Sequence, residues 1–218
     1  MNKKIVLTLL LIAVSFLQAE ETVFTKSGNK ILLKDDNTWE VIENSLISSG
    51  TTFRQTIWGM TKKEVMGIET TSLVEGSNEN NLMYTSKVAG KDCYIIYFFT
   101  QDILTSARYF FTEKHSNKND FILDYNSIKE LLTDKYSNAI KEDVIWRDDL
   151  YKDDFSDWGL AISIGDLLYF SDWEDDKTEI HLVLMGENYS ITHLVDYQSK
   201  EMKEMTEKIK NSNTLNDL

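Results

Sequence analysis

The chain has 218 residues, of which 36 are acidic and 23 basic, giving a net charge of −13 with one cysteine and no proline. A surface this acidic repels phosphate backbones and anionic lipid headgroups, which argues against nucleic acid as a partner and favours cations or basic proteins. A single cysteine excludes an intrachain disulfide, so packing alone must hold the fold, and a chain this long can bury roughly 70% of its unfolded surface.

Residues 1–19 have the three parts of a secretory signal peptide: Lys3 and Lys4, an apolar run from Ile5 to Leu17, and a small residue, Ala19, at the end. A bilayer-spanning helix needs about 20 apolar residues. Gln18, Glu20 and Glu21 end this run too early for that. Cleavage after Ala19 is expected, with Ala13-Val14-Ser15 offering a second site, and it would take the net charge to −15 by removing the two lysines. A lipoprotein would carry a cysteine directly after the cut, whereas Cys93 lies far downstream. The mature protein is therefore expected to be periplasmic or secreted, without a stable membrane anchor.

Residues 20–43 read as a small three-stranded meander, TVFTK, KILLK and TWEVI, separated by Ser27-Gly28-Asn29 and Asp35-Asp36-Asn37. Residues 44–52 are polar and read as a linker. Thr61 and Glu64 then form a capping box, with Met60 and Val65 spaced as the hydrophobic staple, so a helix should start at Thr61. Three strand-like runs follow, LMYTSKV, DCYIIYFFT and LTSARYFFT, broken by Ala89-Gly90 and Gln101-Asp102. Cys93 begins the apolar run CYIIYFF within the second of these and should be a buried, unreactive thiol.

The pattern recurs. Phe121, Tyr125, Ile128, Leu131, Leu132 and Tyr136 share one helical face, which predicts an amphipathic helix over 120–136 lying on a sheet. Strands are expected at 143–146, 159–164, 167–173, 178–185 and 189–197, and a last helix near Ser199 with Met202, Met205 and Ile209 on one face. The fold class is α+β: residues 53–211 form two helix-plus-antiparallel-meander blocks, 53–118 and 119–211, and 212–218 form a frayed tail.

WGMTKKEV, YFFTEKHSNKNDFILDYNSIKELLTDKY and LLKDDNTWEVI resemble segments of a group of uncharacterised exported bacterial proteins, over about residues 22–198. A capped helix followed by a meander, twice over, is also similar to the unit of β-lactamase-inhibitor proteins and of small outer-membrane assembly lipoproteins. Helices in those relatives often end in Gly-x-Pro, where this chain has Ser137-Asn138-Ala139, and the lipid-bearing cysteine is missing. The resemblance implies a non-catalytic binding scaffold and supplies no functional residues.

Three sets of residues could carry chemistry. If Met185 pairs with Tyr189 across Gly186-Glu187-Asn188, His181 faces His193 directly, and two opposed imidazoles with Glu179 nearby could hold a zinc or copper ion. The alternative is a pair of ordinary cross-strand histidines, since a slip of one residue separates the rings. His115 lies in a polar loop and reads as solvated. Acidic clusters occur at Asp148, Asp149, Asp153, Asp154 and Asp157, and at Asp172, Glu174, Asp175 and Asp176. Neither has the spacing of a calcium loop, Asp175-Asp176-Lys177 reads as a hairpin turn, and a basic protein is their better counterpart. Trp58, Trp146, Trp158 and Trp173 could line a surface for sugar or peptide, but Trp58, Trp146 and Trp173 read as core, and Trp158-Gly159, flanked by acids, is the least explained.

No nucleophile elbow, metalloprotease helix or phosphate-binding glycine loop is present, and paired carboxylates cannot be matched to a glycosidase by spacing alone. The reading is a non-catalytic exported binding protein without a cofactor, recognising a protein or envelope component. The alternatives are a cell-envelope hydrolase or a metal-binding periplasmic protein.

Overall fold

Three hairpins of the main sheet turn on two residues each, and in all three both residues have positive φ: Ala89-Gly90 at 51° and 78°, Gln101-Asp102 at 52° and 66°, and Asn188-Tyr189 at 51° and 65°. This is the type I′ geometry, whose twist matches that of the strands it joins. The structure, a computed structural model, describes residues 21–24, 30–33, 38–43, 51–74, 76–78, 80–204, 206 and 207. The expected signal segment 1–19, nearly all of the linker and the tail 212–218 lie outside the described residues. Among those described, no helix is long and apolar enough to cross a membrane.

Strands β1 (Glu21–Phe24), β2 (Lys30–Leu33) and β3 (Trp39–Glu43) pair antiparallel in that order. The main sheet contains β4 (Asn81–Val88), β5 (Lys91–Thr100), β6 (Ile103–Phe111), β7 (Lys141–Trp146), β8 (Leu167–Glu174), β9 (Thr178–Glu187) and β10 (Ser190–Ser199). Its seven strands are antiparallel in the order β4-β5-β6-β10-β9-β8-β7, so β6 and β10 meet in its interior. With helices α1 (Lys62–Ile68), α2 (Asp120–Tyr136) and α3 (Trp158–Ile164), the chain is α+β. Helical backbone resumes after β10, over 200–204 and 206–207.

Helices α1, α2 and α3 share one face of the sheet, here called the inner face. The capping box starts α1: Thr61 accepts from the Glu64 N–H, and the Glu64 carboxylate takes the Thr61 N–H at 2.7 Å. Val65 is then fully buried. Helix α2 buries Ile122, Tyr125, Ile128 and Leu132, and Tyr125 hydrogen-bonds Ser171 of β8 at 2.7 Å. Phe53 packs among Tyr97, Tyr109 and Tyr197, and Trp58 donates to Thr178 Oγ1 at 3.0 Å.

Residues 159–164, expected as a strand, lie in helix α3 (158–164) instead. A short apolar run fits either state, and the deciding features lie at its ends. Asp154 caps a 3-10 turn at Phe155–Asp157, accepting from the Ser156 N–H, and Gly165 closes the helix in the left-handed conformation at φ 93°. Gly159 and Gly186 let this helix pack. A β-carbon on Gly159 would overlap the Lys118–Asn119 backbone, and one on Gly186 would overlap the Ile162 carbonyl and lie 2.8 Å from both Ser163 Cα and Ser190 O.

Gly186 therefore belongs to a strand and not to a turn, which moves the last hairpin. The loop is Asn188-Tyr189, with Glu187 opposite Ser190, where the sequence suggested Met185 opposite Tyr189. The new register differs by an odd number of residues, and each such slip exchanges the two faces of a strand.

The two edges of the sheet are treated differently. Along β4, residues 72–74 and 76–78 run as a partial cover, with Val74 N–H bonding Met83 O at 2.8 Å and Asn78 N–H bonding Asn81 O at 3.1 Å. Among the described residues, β7 pairs only with β8.

Candidate binding face

Strand alternation sends Leu182, Leu184, Val195 and Tyr197 to the inner core and leaves their neighbours on the opposite, outer face. None of α1, α2 and α3 packs there, and the helical segment after β10 reaches this face through Lys203. Register places Lys141, Asp172, His181, Asp196 and Arg108 side by side across five strands of this face. Arg108 grips Asp196 through two hydrogen bonds, Nη2 to Oδ2 at 2.8 Å and Nε to Oδ1 at 2.5 Å, the bidentate geometry that planar guanidinium favours. His181 Nδ1 lies 2.6 Å from Asp172 Oδ1, and its Nε2 is 4.0 Å from Glu179. Glu179 is in turn held by Lys203 at 2.7 Å.

Aromatic rings flank this polar row. On one side Tyr94, Phe110, Leu194, Val183 and Phe170 follow one another in register. On the other, Phe98 lies beneath the Arg108 guanidinium, 5.6 Å from ring centre to Cζ. Lys141 sits 5.3 Å over Phe170, which also stacks on His181 at 6.2 Å. Tyr94, Phe98, Phe110 and Phe170 are all half-buried.

The structure does not bring His181 and His193 together. His181 is opposite Asp196 on the outer face, and His193 is opposite Leu184 and points into the core, 2% exposed. Among the described residues, no three His, Cys, Asp or Glu side chains are grouped to hold a metal. His193 stacks on Phe111 with ring centres 4.5 Å apart, and its buried Nε2 has no hydrogen-bond partner. Burial pushes its pKa down to about 4.

His115 is not simply solvated. Its Nε2 lies 2.6 Å from Asp124 Oδ2, Lys91 binds the other oxygen of the same carboxylate, and its ring meets Phe121 edge-on. Burial works to raise the Asp124 pKa, but the hydrogen bonds from Lys91 and His115 hold it below the usual carboxylate value. A second inner group joins Arg54, Glu69 and Tyr97: Arg54 Nε is 2.8 Å from Glu69 Oε1, and the Tyr97 hydroxyl donates to the same oxygen. Both groups tie segments of chain together, and neither opens to the outer face.

The acidic clusters separate on inspection. Asp172 leaves its sequence neighbours to bind His181, while Asp175 organises a turn by accepting from the N–H groups of Lys177 and Thr178 at 2.8 Å each. Asp148 and Asp154 likewise accept from nearby backbone N–H groups, and Asp149 pairs with Lys152. Trp58 and Trp173 are buried, Trp146 meets Trp158 edge-on at 5.5 Å, and Trp158 donates to Lys152 O. Cys93 is buried, and desolvation raises its thiol pKa to about 11.

Arg108, Asp196 and the outer aromatics escaped sequence reasoning, because only register makes them neighbours. The available clue was the apolar-charged alternation in TSARYFF and HLVDYQ. Comparison with known proteins finds no matching family model, and no curated protein or solved structure that matches significantly.

Proposed function

We propose that this protein is an exported, non-catalytic binding protein that docks a protein or envelope component on the outer face of the seven-stranded sheet. The observation that carries the reading is the composition of that face: half-buried aromatic residues around a central arginine, with every charge of the row already paired. Aromatic residues and arginine dominate the energetics of protein interfaces, and paired charges cost less to desolvate than free ones. The acidity of the chain favours a basic partner. The likeness of the sequence to helix-plus-meander binding scaffolds supports the same class, and the N-terminal segment supports export.

The test is cross-linking and capture from the native cell envelope, comparing the wild-type protein with Phe110→Asp and Arg108→Ala, both checked for an unchanged circular dichroism spectrum. A specific partner should be retained by the wild type, weakened at high salt and lost by at least about tenfold in Phe110→Asp. Equal capture by all three proteins, or none by any, would overturn the proposal.

A further inference from the structure

Among the described residues, strand β7 leaves one edge of the sheet open. The Arg147 N–H bonds Asp166 O at 2.7 Å, which continues the β7–β8 register by one residue and marks that pair as hydrogen-bonded. In an antiparallel ladder such pairs alternate, so the odd residues of β7 bond β8, and the N–H and C=O groups of Glu142, Val144 and Trp146 point outward. Proteins usually protect an edge with proline, a bulge, charge or a cover. The β4 edge has a cover; among the described residues the second half of β7 has none of these, and Val144 and Ile145 are 52% and 41% exposed.

We propose that a second copy of this chain pairs antiparallel with β7, continuing the sheet across a two-fold axis at Ile145. Charge complementarity selects both the occupant and the register. A two-fold normal to the sheet allows only registers that pair like faces. Centring on Asp143 sets two aspartates against each other, and centring on Val144 sets Lys141 against Arg147 of the other copy. Centring on Ile145 instead places Asp143 opposite Arg147 twice and Val144 opposite Trp146 twice. The Arg147 guanidinium has no partner among the described residues, and Asp143 is held only by the exposed Lys141, at 3.1 Å. Glu142, which would otherwise meet Asp148 of the other copy, is neutralised by Lys129 at 2.9 Å.

Sedimentation across a concentration series tests the pairing directly. The wild type should dimerise, Arg147→Asp should weaken the dimer at least about tenfold, and Asp143→Arg combined with Arg147→Asp should restore it. Val144→Pro removes only an outward N–H, so it should abolish the dimer while sparing the β8 ladder. Ile145→Cys gives a second readout. Non-hydrogen-bonded pairs bring their Cα atoms to about 4.5 Å, within disulfide reach, so mild oxidation should yield a covalent dimer, with Cys93 buried and silent. A monomer up to millimolar concentration, or a dimer indifferent to Val144→Pro and Arg147→Asp, would overturn the proposal.

Discussion

His193 is the residue whose chemistry fits its surroundings least. A neutral imidazole packs against Phe111 in the core, and protonating it there would place a charge among apolar groups. Its pKa falls from 6.5 to about 4, so between these values the unfolded chain binds the extra proton and the native one does not. The contribution is complete above pH 6.5 and is lost as pH falls toward 4. The loss approaches about 3 kcal/mol. His193→Phe, which keeps an aromatic ring on Phe111, should flatten that part of the stability profile, measured by urea unfolding at pH 7 and at pH 4.5. A profile unchanged in the variant would show that another group carries the acid sensitivity.

Glycine matters at the level of elements, where it decides whether α3 can approach the sheet. Gly186→Ala drives a methyl group into the Ile162 carbonyl, and backbone on both sides leaves it nowhere to go. It should destabilise by more than about 3 kcal/mol. Gly67→Ala in α1 meets nothing within 4 Å and should stabilise by about 0.8 kcal/mol through helix propensity alone. Thermal and chemical unfolding of the two variants should therefore move in opposite directions.

The same glycines explain what could be read in the sequence. Helix α1 was legible because Thr61 and Glu64 act locally, and α2 because its face repeats over several turns. Strands β4 to β6 were legible from alternation and from the turn at Ala89-Gly90. Helix α3 was not, since WGLAISI is too short for its period to show. Gly186 misled because a strand glycine and a turn glycine look alike in sequence, and that one ambiguity displaced His181 from Asp196 to His193. The outer face was illegible for a related reason: it is assembled from register between distant strands, which no local pattern encodes.

For the whole molecule, charge imbalance sets the response to salt. With 36 acidic against 23 basic residues, the compact state repels itself over distances that span the domain at low ionic strength. The screening length falls from about 30 Å at 0.01 M salt to about 8 Å at 0.15 M. The melting temperature at pH 7 should therefore rise over that range. A fall would mean that attractive pairs such as Lys129–Glu142 outweigh the net repulsion.

The meeting of β6 and β10 inside the sheet has a kinetic side. Their contacts join residues 88 apart, as in Arg108 with Asp196, and more, so a large loop must close before this seam can form. Each hairpin meander can assemble by short-range steps, yet until the final strand has been synthesised β6 stays bare along one side. The seam makes folding a late, long-range event, and it exposes the half-made chain to wrong pairing for as long as its last strand is missing.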